Sequence, residues 1–447
     1  MAGLATTGLP IARILVGMGA RVTGVDSRPE IDGAGELRAL GVELLLGEGA
    51  VLPPDTDLVV ITPGWRPGTP LPLAAEAMGV EVIGDAELAW RLRGPGAAPW
   101  LALTGTNGKT TVVRMLTSIL RTAGYDAVAV GNVGESLVEA VVEGHDVLAV
   151  ELSSFQLHWS STLAPHAAVI LNLAPDHLDW HGSMESYGEA KAKIFGAGTV
   201  RICNADDPAT VALAGEDAIG FTLLTPAPGE FGVVEDLLVD RALTADPVRE
   251  ADQIAELRDI VPFAPHNVAN ALAAAALARA FGVPSEVISD GLKAFQPDPH
   301  RIATVATVRE VTYVDDSKAT NPHAAAASLA AFENIVWIAG GLLKGADIDA
   351  LVRDAAPRLR AAVLLGADRA QIAEALARHA PNVPVVDVAA TDTGAMDLVV
   401  TEAARLAQPG DTVLLAPAGA SMDMFRNYGA RGDAFAAAVG RLTADER

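Results

Sequence analysis

A glycine-rich octapeptide lies between an apolar run and a helical pattern in the first quarter of the chain. Its sequence is Thr104-Gly105-Thr106-Asn107-Gly108-Lys109-Thr110-Thr111, after the apolar run 100–103 and before the helical pattern 112–122. This order of elements lets backbone N–H groups, Lys109 and the Thr110 hydroxyl surround phosphate oxygens and magnesium. Leu103 stands where the full pattern has glycine, so the alternative is a turn with a chance Gly-Lys-Thr. The flanking strand and helix favour a phosphate-binding loop.

Short apolar runs alternate with helical stretches along the rest of the chain, which predicts an α/β fold with parallel sheets. The chain has 447 residues, too many for one ordinary core, so we expect roughly two to four domains. Proline and glycine cluster at 93–99, and Pro297-Asp298-Pro299 forms a second break. We therefore divide the chain into residues 1–93, 97–298 and 299–447.

A second glycine-containing loop opens the chain. Gly3-Leu4-Ala5-Thr6-Thr7-Gly8 is typical of a loop between a strand and a helix, yet only Met1 and Ala2 precede it. We expect either that the start is truncated or that the first sheet lacks its central strand. A nicotinamide-dependent oxidoreductase is a possible interpretation of these glycines, but no complete Gly-x-Gly-x-x-Gly is present, so we discount it.

The charge and composition of the chain exclude several classes of function. A net charge of −24 argues against nucleic acid as a partner, because phosphate backbones need Lys/Arg surfaces. Cys203 is the single cysteine and lies in a predicted strand, which excludes a disulfide framework and a multi-cysteine metal site. No signal peptide opens the sequence and no apolar run could span a bilayer, so we expect a cytoplasmic protein without membrane insertion.

Three side chains that could bind metal or take part in catalysis lie in later segments. Glu151 ends the run 147–152 at the sheet edge where α/β folds bind ligands, and a carboxylate beside a phosphate loop suits magnesium. The alternative is a glutamate that caps a loop. His177 follows the run 168–173 at the same edge of the sheet. It could be a metal ligand, a group that positions substrate, or an ordinary core or surface residue. Lys191 lies on a helix begun by Ser183, and its periodicity alone predicts a solvated lysine.

Eight segments together resemble the Mur ligases, which form amide bonds through acyl phosphates, as does folylpolyglutamate synthetase. The resemblance covers essentially the whole chain. Its segments are 104–111, 151–157, 176–179 with Lys191, 266–270, 300–301, 315–321, 340–344 and 416–435. The last segment, with 316–321 and 153–156, is similar to the family members that add D-glutamate. The Asp-Asn-Pro-Arg signature of the members that add diaminopimelate is absent from the sequence.

The resemblance implies an ATP-dependent ligase that joins D-glutamate to UDP-N-acetylmuramoyl-L-alanine during peptidoglycan precursor synthesis. It implies a Rossmann-like UDP-binding domain at 1–93, a central ATP-binding domain at 97–298 and a Rossmann-like D-glutamate-binding domain at 299–447. Two Mg²⁺ ions are expected, with Mn²⁺ as a substitute, and we expect the chain to act as a monomer. The alternatives are a non-catalytic nucleotide-binding or regulatory protein and a ligase for another amino acid.

The resemblance also implies roles for single residues. Lys109, Glu151, His177 and Lys191 are the catalytic set, and the metal ligands are Thr110, Glu151, His177 and Lys191 as a carbamate. The implied nucleotide contacts are Gly105, Thr106, Asn107, Gly108, Lys109, Thr110, Thr111, Asn270, Arg301 and Asp316. The implied contacts of the UDP-linked substrate are Thr6, Thr7, Asp26, Ser27, Arg28, Gly64, Asn132, Ser153 and Gln156. The implied D-glutamate contacts are Lys318, Thr320, Lys344, Ser421 and Tyr428.

Two positions depart from the family pattern. Tyr428 stands where phenylalanine is common, and Leu342-Leu343 occupies a segment in which some members carry an acid. The first change is mild because both side chains are aromatic. The second leaves open which groups make the hydrogen bonds on the glutamate side.

Overall fold

The computed structural model describes residues 1–4, 7–47, 52–390 and 394–444. Thr6, an expected contact of the UDP-linked substrate, lies outside these residues. The chain forms two compact units, Met1–Asp259 with Ala269–Phe295, and Ile260–Val268 with Gln296–Arg447. The first predicted domain and most of the second fall in the first unit, each with its own sheet, whereas residues 260–268 and 296–298 fall in the second unit. The three-domain division remains a prediction.

The amino-terminal part of the first unit is a small parallel sheet. Its strands are β1 (Thr23–Asp26), β2 (Glu43–Leu46), β3 (Leu58–Ile61) and β4 (Glu81–Gly84), and its helices are α1 (Gly8–Gly17), α2 (Ala34–Ala39), α3 (Pro70–Ala77) and α4 (Asp85–Arg91). β1 pairs with β2 and β3 pairs with β4. Ala2 forms parallel bridges to both Val25 and Ile61 and therefore joins the two pairs. Ala2 thus lies between β1 and β3, where the sequence predicts a missing strand, and it forms isolated bridges there rather than a strand.

A nine-stranded sheet forms the rest of the first unit, in the order β13-β12-β11-β10-β9-β8-β5-β7-β6. Its strands are β5 (Trp100–Thr104), β6 (Ala127–Gly131), β7 (Val147–Glu151), β8 (Ala167–Ile170), β9 (Val200–Asn204), β10 (Ile219–Phe221), β11 (Glu230–Val234), β12 (Leu237–Asp240) and β13 (Asp252–Glu256). All neighbours from β6 to β11 are parallel, and β12 and β13 continue antiparallel. Every residue of β5 and β7 is buried, as expected for parallel strands covered on both faces.

Helices cover this sheet. They are α5 (Lys109–Thr122), α6 (Leu137–Glu143), α7 (Ser154–His158), α8 (Leu178–His181), α9 (Met184–Ala192), α10 (Pro208–Ala214), α11 (Pro265–Ala280) and α12 (Ser285–Ala294), with a 3-10 turn at Leu257–Asp259. α5 follows the glycine-rich octapeptide, as predicted. Because β5 pairs with both β7 and β8, the loop after β5 lies between the carboxyl ends of those two strands.

The second unit has one six-stranded sheet in the order β14-β15-β19-β16-β17-β18. Its strands are β14 (Ala303–Val308), β15 (Val311–Asp315), β16 (Ile335–Gly340), β17 (Leu359–Leu365), β18 (Val385–Asp387) and β19 (Thr412–Ala418). Its helices are α13 (Pro322–Leu329), α14 (Asp349–Ala355), α15 (Arg369–His379), α16 (Ala395–Leu406) and α17 (Tyr428–Ala444), with a 3-10 turn at Ala356–Arg358. Only β14 is antiparallel, and separate apolar clusters cover the two faces.

The predicted α/β class is confirmed, and the predicted strands lie within a few residues of the observed ones. None of the helices in the described part of the chain is both long and apolar enough to cross a membrane.

Gly291 lets α12 approach the backbone of α5, the helix that follows the glycine-rich octapeptide. A Cβ at Gly291 would lie 2.5 Å from the Cα of Ile119, and the Ser118 hydroxyl donates a 2.7 Å hydrogen bond to the Gly291 carbonyl. Gly35 is a matched control, since it is a helical glycine of the same unit with open space around it.

We predict that Gly291→Ala lowers the free energy of unfolding by about 1–3 kcal/mol, because an added methyl group must push the two helices apart. Gly35→Ala should be neutral or slightly stabilising, because alanine favours helix. Urea denaturation of both variants measures the difference. Equal stability of the two variants would contradict the close packing of α12 on α5.

Candidate active site

The glycine-rich octapeptide leads directly into the first turn of α5. Gly108 precedes that helix with a φ of 84°, a conformation that favours glycine. A Cβ there would lie 2.4 Å from the Asn270 side-chain oxygen, so the loop packs directly against α11. Thr110 is half-buried and Thr111 is buried in the first turn of α5. The amino terminus of a helix attracts anions, and this loop therefore offers a phosphate site.

Asn172, just after β8, holds the loop in shape. Its side-chain oxygen accepts a 2.9 Å hydrogen bond from the Asn107 N–H, and its amide nitrogen donates to the Asn107 carbonyl at 3.1 Å. Its own carbonyl accepts from the Thr106 N–H at 3.0 Å. Sequence reasoning did not assign Asn172 a role. The available signal was an amide side chain directly after the strand adjacent to the loop.

The Thr106 side chain faces the protein rather than an open phosphate site. It is buried, accepts a 3.0 Å hydrogen bond from the Ala174 N–H, and lies 3.2 Å from the Tyr187 hydroxyl. Thr106 therefore connects the loop to α9. Thr106 is an expected nucleotide contact, but its N–H and its hydroxyl both make hydrogen bonds within the protein.

Two lysine ammonium groups share one carbonyl oxygen of the loop. Lys109 Nζ donates to the Gly105 and Thr106 carbonyls, each at 2.9 Å. Lys191 Nζ donates to the Gly105 carbonyl at 2.8 Å and to the Thr104 hydroxyl at 3.4 Å. Burial, and then the charge of Lys109, hold the pKa of Lys191 well below its usual range.

Lys191 is only 1% exposed, so the expectation of a solvated lysine from periodicity is wrong. Tyr187, Ala190, Lys191 and Ile194 are all buried, at the spacing of one helix face. That spacing was the signal that could have placed Lys191 inside the protein. Its ammonium group lies 4.5 Å from the centre of the Tyr187 ring, a cation–π distance.

The Glu151 carboxylate is buried with one oxygen unsatisfied. Its Oε1 accepts a 2.9 Å hydrogen bond from the Asn132 side chain, whose backbone N–H donates to the Glu151 carbonyl, also at 2.9 Å. Its Oε2 is buried and has no hydrogen-bond partner among the residues that the structure describes. Because an unsatisfied buried carboxylate oxygen is costly, and hard divalent cations take oxygen ligands, Glu151 fits a magnesium ligand.

His177 lies beside the segment that follows Glu151. It precedes α8 in the left-handed conformation, with a φ of 54°, and its ring centre is 4.8 Å from that of Phe155. Its side chain is 41% exposed, and Nε2 lies 3.7 Å from the Asp176 carboxylate. An accessible imidazole at this edge of the sheet can bind a metal or a substrate.

Ser153 and Gln156, two expected substrate contacts, form a capping box at the start of α7. The Ser153 hydroxyl accepts from the Gln156 N–H at 3.2 Å, and the Gln156 side-chain oxygen accepts from the Ser153 N–H at 3.0 Å. Gln156 is only 2% exposed. The box therefore fixes the chain at the end of β7.

Asp26, one of the expected uridine-side residues, ends β1 of the small amino-terminal sheet. Its carboxylate accepts a 2.8 Å hydrogen bond from the Leu4 N–H, which ties it to the first loop of the chain. Hydrogen bonds from the Arg28 guanidinium lower the pKa of Asp26 to about 2. Ser27, Arg28 and Gly64 are exposed, and Thr7 precedes α1.

In the second unit, the expected nucleotide contact Asp316 is buried. Its carboxylate accepts from the Ile302 N–H at 3.3 Å and from the Ser328 hydroxyl. Burial raises the pKa of Asp316 to about 6, and the nearby charge of Arg301 opposes that shift. The structure thus brings Arg301 and Asp316 close together in the second unit, and their contact with nucleotide remains a prediction.

The expected D-glutamate contacts lie on three loops of the second unit and at the first residue of α17. Lys318 Nζ is 4.2 Å from the centre of the Tyr428 ring, and the Thr320 N–H donates to the Lys318 carbonyl at 2.8 Å. Lys344 is exposed, whereas Ser421 is only 3% exposed.

Arg431, at 2% exposure, joins two of these loops. It donates to the Ser317 hydroxyl at 2.9 Å, the Ser317 carbonyl at 2.8 Å and the Gly419 carbonyl at 3.0 Å. Burial lowers the pKa of Arg431 to about 10. Sequence reasoning did not assign it a role, because its burial depends on how α17 packs against the ends of β15 and β19.

Known proteins are similar to this chain in sequence over nearly its full length. Models of the Mur ligase middle domain and of the Mur ligase glutamate ligase domain match residues 103–278 and 300–419. The UDP-N-acetylmuramoylalanine–D-glutamate ligase of Thermobifida fusca is 62% identical, over 98% of this chain and 97% of that protein. The ligase of the same name from Streptomyces avermitilis is 61% identical, over 99% and 98%.

Solved structures share the fold. A pseudomurein peptide ligase of Methanothermus fervidus covers 99% of both chains with a TM-score of 0.63 at 18% identity. The UDP-N-acetylmuramate-alanine ligase of Thermotoga maritima covers 99% of this chain and 98% of its own with a TM-score of 0.60 at 19% identity. Sequence identity to full-length relatives and the two domain matches together show that the chain belongs to the Mur ligase family.

Proposed function

We propose that this chain uses ATP to join D-glutamate to UDP-N-acetylmuramoyl-L-alanine, with release of ADP and phosphate, in peptidoglycan precursor synthesis. Relatives that bear the name of this ligase are at least 60% identical over nearly the whole chain. The structural observation that supports the proposal is the buried Glu151 carboxylate, whose Oε2 lacks a hydrogen-bond partner within the described part of the chain. Such a group beside a phosphate loop suits metal-assisted phosphoryl transfer.

The chemistry must bring two anions together. A carboxylate is a poor electrophile, so the alanine carboxylate first attacks the γ-phosphorus of ATP, ADP leaves, and an acyl phosphate forms. The D-glutamate amine then attacks the acyl carbon, phosphate leaves, and the amine loses a proton as the amide forms. Positioning and charge neutralisation are the main contributions of the protein to such reactions. Lys109 and the amino terminus of α5 provide positive potential for the nucleotide phosphates.

Mur ligases need magnesium, and we propose that residues at the sheet edge hold two ions. Thr110 and Glu151 would hold one Mg²⁺ with the nucleotide phosphates, and Glu151, His177 and carbamylated Lys191 would hold the second. Mn²⁺ takes the same oxygen ligands and would substitute. When bound, the ions supply charge neutralisation for the phosphate and carboxylate oxygens.

Lys191 is proposed to carry a carbamate. Its amine would attack carbon dioxide, form an N–C bond and release a proton. The resulting carbamate would replace a buried cation beside Lys109 with an oxygen ligand. Lys109 and Lys191 share the Gly105 carbonyl, and Lys191 is buried. Two ammonium groups this close together in a buried site are costly, which supports the carbamate. A depressed pKa also increases the fraction of neutral amine, which is the reactive form.

The remaining features belong to the same proposal. Lys318, Thr320, Lys344, Ser421 and Tyr428 would bind D-glutamate through cations and hydroxyl groups, which suit a dicarboxylate. We also propose the three-domain division, a monomer, and a cytoplasmic location, where ATP and UDP-linked precursors are available. Light scattering of the purified chain tests the monomer.

The acceptor amino acid tests the function directly. Phosphate release from ATP should require UDP-N-acetylmuramoyl-L-alanine and D-glutamate, because the pocket is proposed to match one dicarboxylate. L-glutamate, diaminopimelate and L-lysine should react at least about a hundredfold more slowly. Activity with a different amino acid alone would overturn the substrate assignment, and no activity with any of them would overturn the ligase function.

The carbamate predicts the behaviour of Lys191→Ala. This variant should lose at least about a hundredfold in turnover, since it removes a ligand for charge-neutralising metal, and short carboxylic acids should restore part of it. Lys193→Ala is the matched control, because Lys193 is an exposed lysine at the end of the same helix. ¹³C-bicarbonate should also give a carbamate NMR signal in the wild type and in Lys193→Ala only. Full turnover of Lys191→Ala would remove the carbamate from the mechanism.

A further inference from the structure

Helix α4 of the small amino-terminal sheet places two buried carboxylates against the segment that follows Glu151. Asp85 is 4% exposed and Glu87 is fully buried. The Gly84 N–H, just before α4, donates a 2.9 Å hydrogen bond to the Trp159 carbonyl, just after α7. The start of α4 therefore packs on α7, the helix that begins with the Ser153–Gln156 capping box.

Asp85 is connected to Ser153 by a continuous chain of hydrogen bonds. The Gln156 side-chain nitrogen donates to Asp85 Oδ2 at 3.1 Å. The oxygen of the same amide accepts from the Ser153 N–H at 3.0 Å and from the Ser153 hydroxyl at 3.2 Å. The Gln156 oxygen and one N–H of its side-chain nitrogen are therefore used inside the protein.

The chemistry of these groups fixes the direction of every bond. The Ser153 N–H can only donate, so the Gln156 oxygen must face it, and the amide nitrogen must face an acceptor. Asp85 is that acceptor: burial raises its pKa to about 6, so its carboxyl group is still mainly ionised at neutral pH. The Ser153 hydroxyl donates its single proton to the Gln156 side-chain oxygen. One lone pair of that hydroxyl oxygen accepts from the Gln156 backbone N–H at 3.2 Å. The second lone pair remains for another hydrogen-bond donor.

We propose that Asp85 is a positioning residue that acts through Gln156 to hold Ser153 as a hydrogen-bond acceptor for the UDP-linked substrate. This inference rests on the proposed function, in which Ser153 contacts that substrate. The terminal alanine carboxylate has no proton to donate, so Ser153 does not bind it. Ser153 instead accepts from an amide N–H or a sugar hydroxyl and aligns the body of the substrate, while other groups hold the reacting carboxylate.

Glu87 provides a matched comparison on the same helix. Its carboxylate accepts from the Ser161 N–H at 2.9 Å and from the Thr162 N–H at 3.1 Å, beyond the other end of α7. Glu87 is as buried as Asp85, but its hydrogen bonds in the described part of the chain go to Arg91, Ser161 and Thr162 and not to Ser153 or Gln156. Glu87→Gln should lower stability without a change in substrate affinity.

The kinetic test compares the three substrates. Asp85→Ala should raise the KM for UDP-N-acetylmuramoyl-L-alanine about three- to tenfold, the effect of one weakened hydrogen bond, with the KM values of ATP and D-glutamate unchanged. Asp85→Asn should stay close to wild type, because the asparagine oxygen accepts from Gln156.

Ser153→Ala should raise the same KM. Adding Asp85→Ala to Ser153→Ala should raise it no further, since both changes remove the same interaction with the substrate. Gln156→Met should also raise the KM for UDP-N-acetylmuramoyl-L-alanine alone. This variant replaces Asp85→Ala in the test if Asp85→Ala does not fold.

A second measurement does not depend on turnover. Hydrogen exchange at the Ser153 amide should become faster in Asp85→Ala and stay unchanged in Glu87→Gln. Unchanged exchange in Asp85→Ala, parallel increases in all three KM values, or additive effects of Asp85→Ala and Ser153→Ala would each overturn the positioning role. A wild-type chain without ligase activity would instead refute the proposed function, and the exchange result would still decide whether Asp85 holds the capping box.

Discussion

The backbone carbonyl of Gly105 accepts hydrogen bonds from two lysine ammonium groups, and the candidate site depends on this arrangement. Lys109 comes from the helix after the loop, and Lys191 comes from a helix more than eighty residues later in the chain. Two cations on one oxygen would repel each other, and burial adds the cost of lost hydration, so the pKa of Lys191 is lowered. The site is therefore arranged to receive negative charge, which phosphate groups and a carbamate would both supply.

Strand register sets which groups meet at this edge. Leu103 pairs with Glu151 on one side of β5, and Thr104 pairs with Ile170 on the other. A slip of one residue would turn the Glu151 carboxylate to the opposite face of the sheet. The register, the Asn172 bonds to the loop and the packing of α12 on α5 together keep the loop, Glu151 and Lys191 in place.

The residues that sequence reasoning placed well are those whose surroundings are local. The phosphate loop and Glu151 each follow an apolar run directly, so the end of a strand alone predicts their position. Lys191 was misjudged because its burial depends on α9 packing over the loop, although its spacing from Tyr187 contained the signal. The bridges of Ala2 to Val25 and Ile61 were also unforeseen, since two residues are too few for a strand pattern.

Other parts of the site depend on contacts between distant segments. The use of both ends of the Gln156 amide requires Asp85, which is 71 residues away in sequence. Arg431 acquires its role only when α17 begins beside the loop at Ser317. The family resemblance supplied the roles of Lys191, Asn270 and the D-glutamate contacts, which no local pattern predicts.

The most direct test of the charge arrangement is the anomalous diffraction of crystals grown with Mn²⁺ and a non-hydrolysable ATP analogue. The account predicts a manganese peak within about 2.0–2.3 Å of Glu151 Oε2, the range for hard divalent cations and carboxylate oxygens. Ordered nucleotide in the phosphate loop with no manganese bound by Glu151 would contradict it.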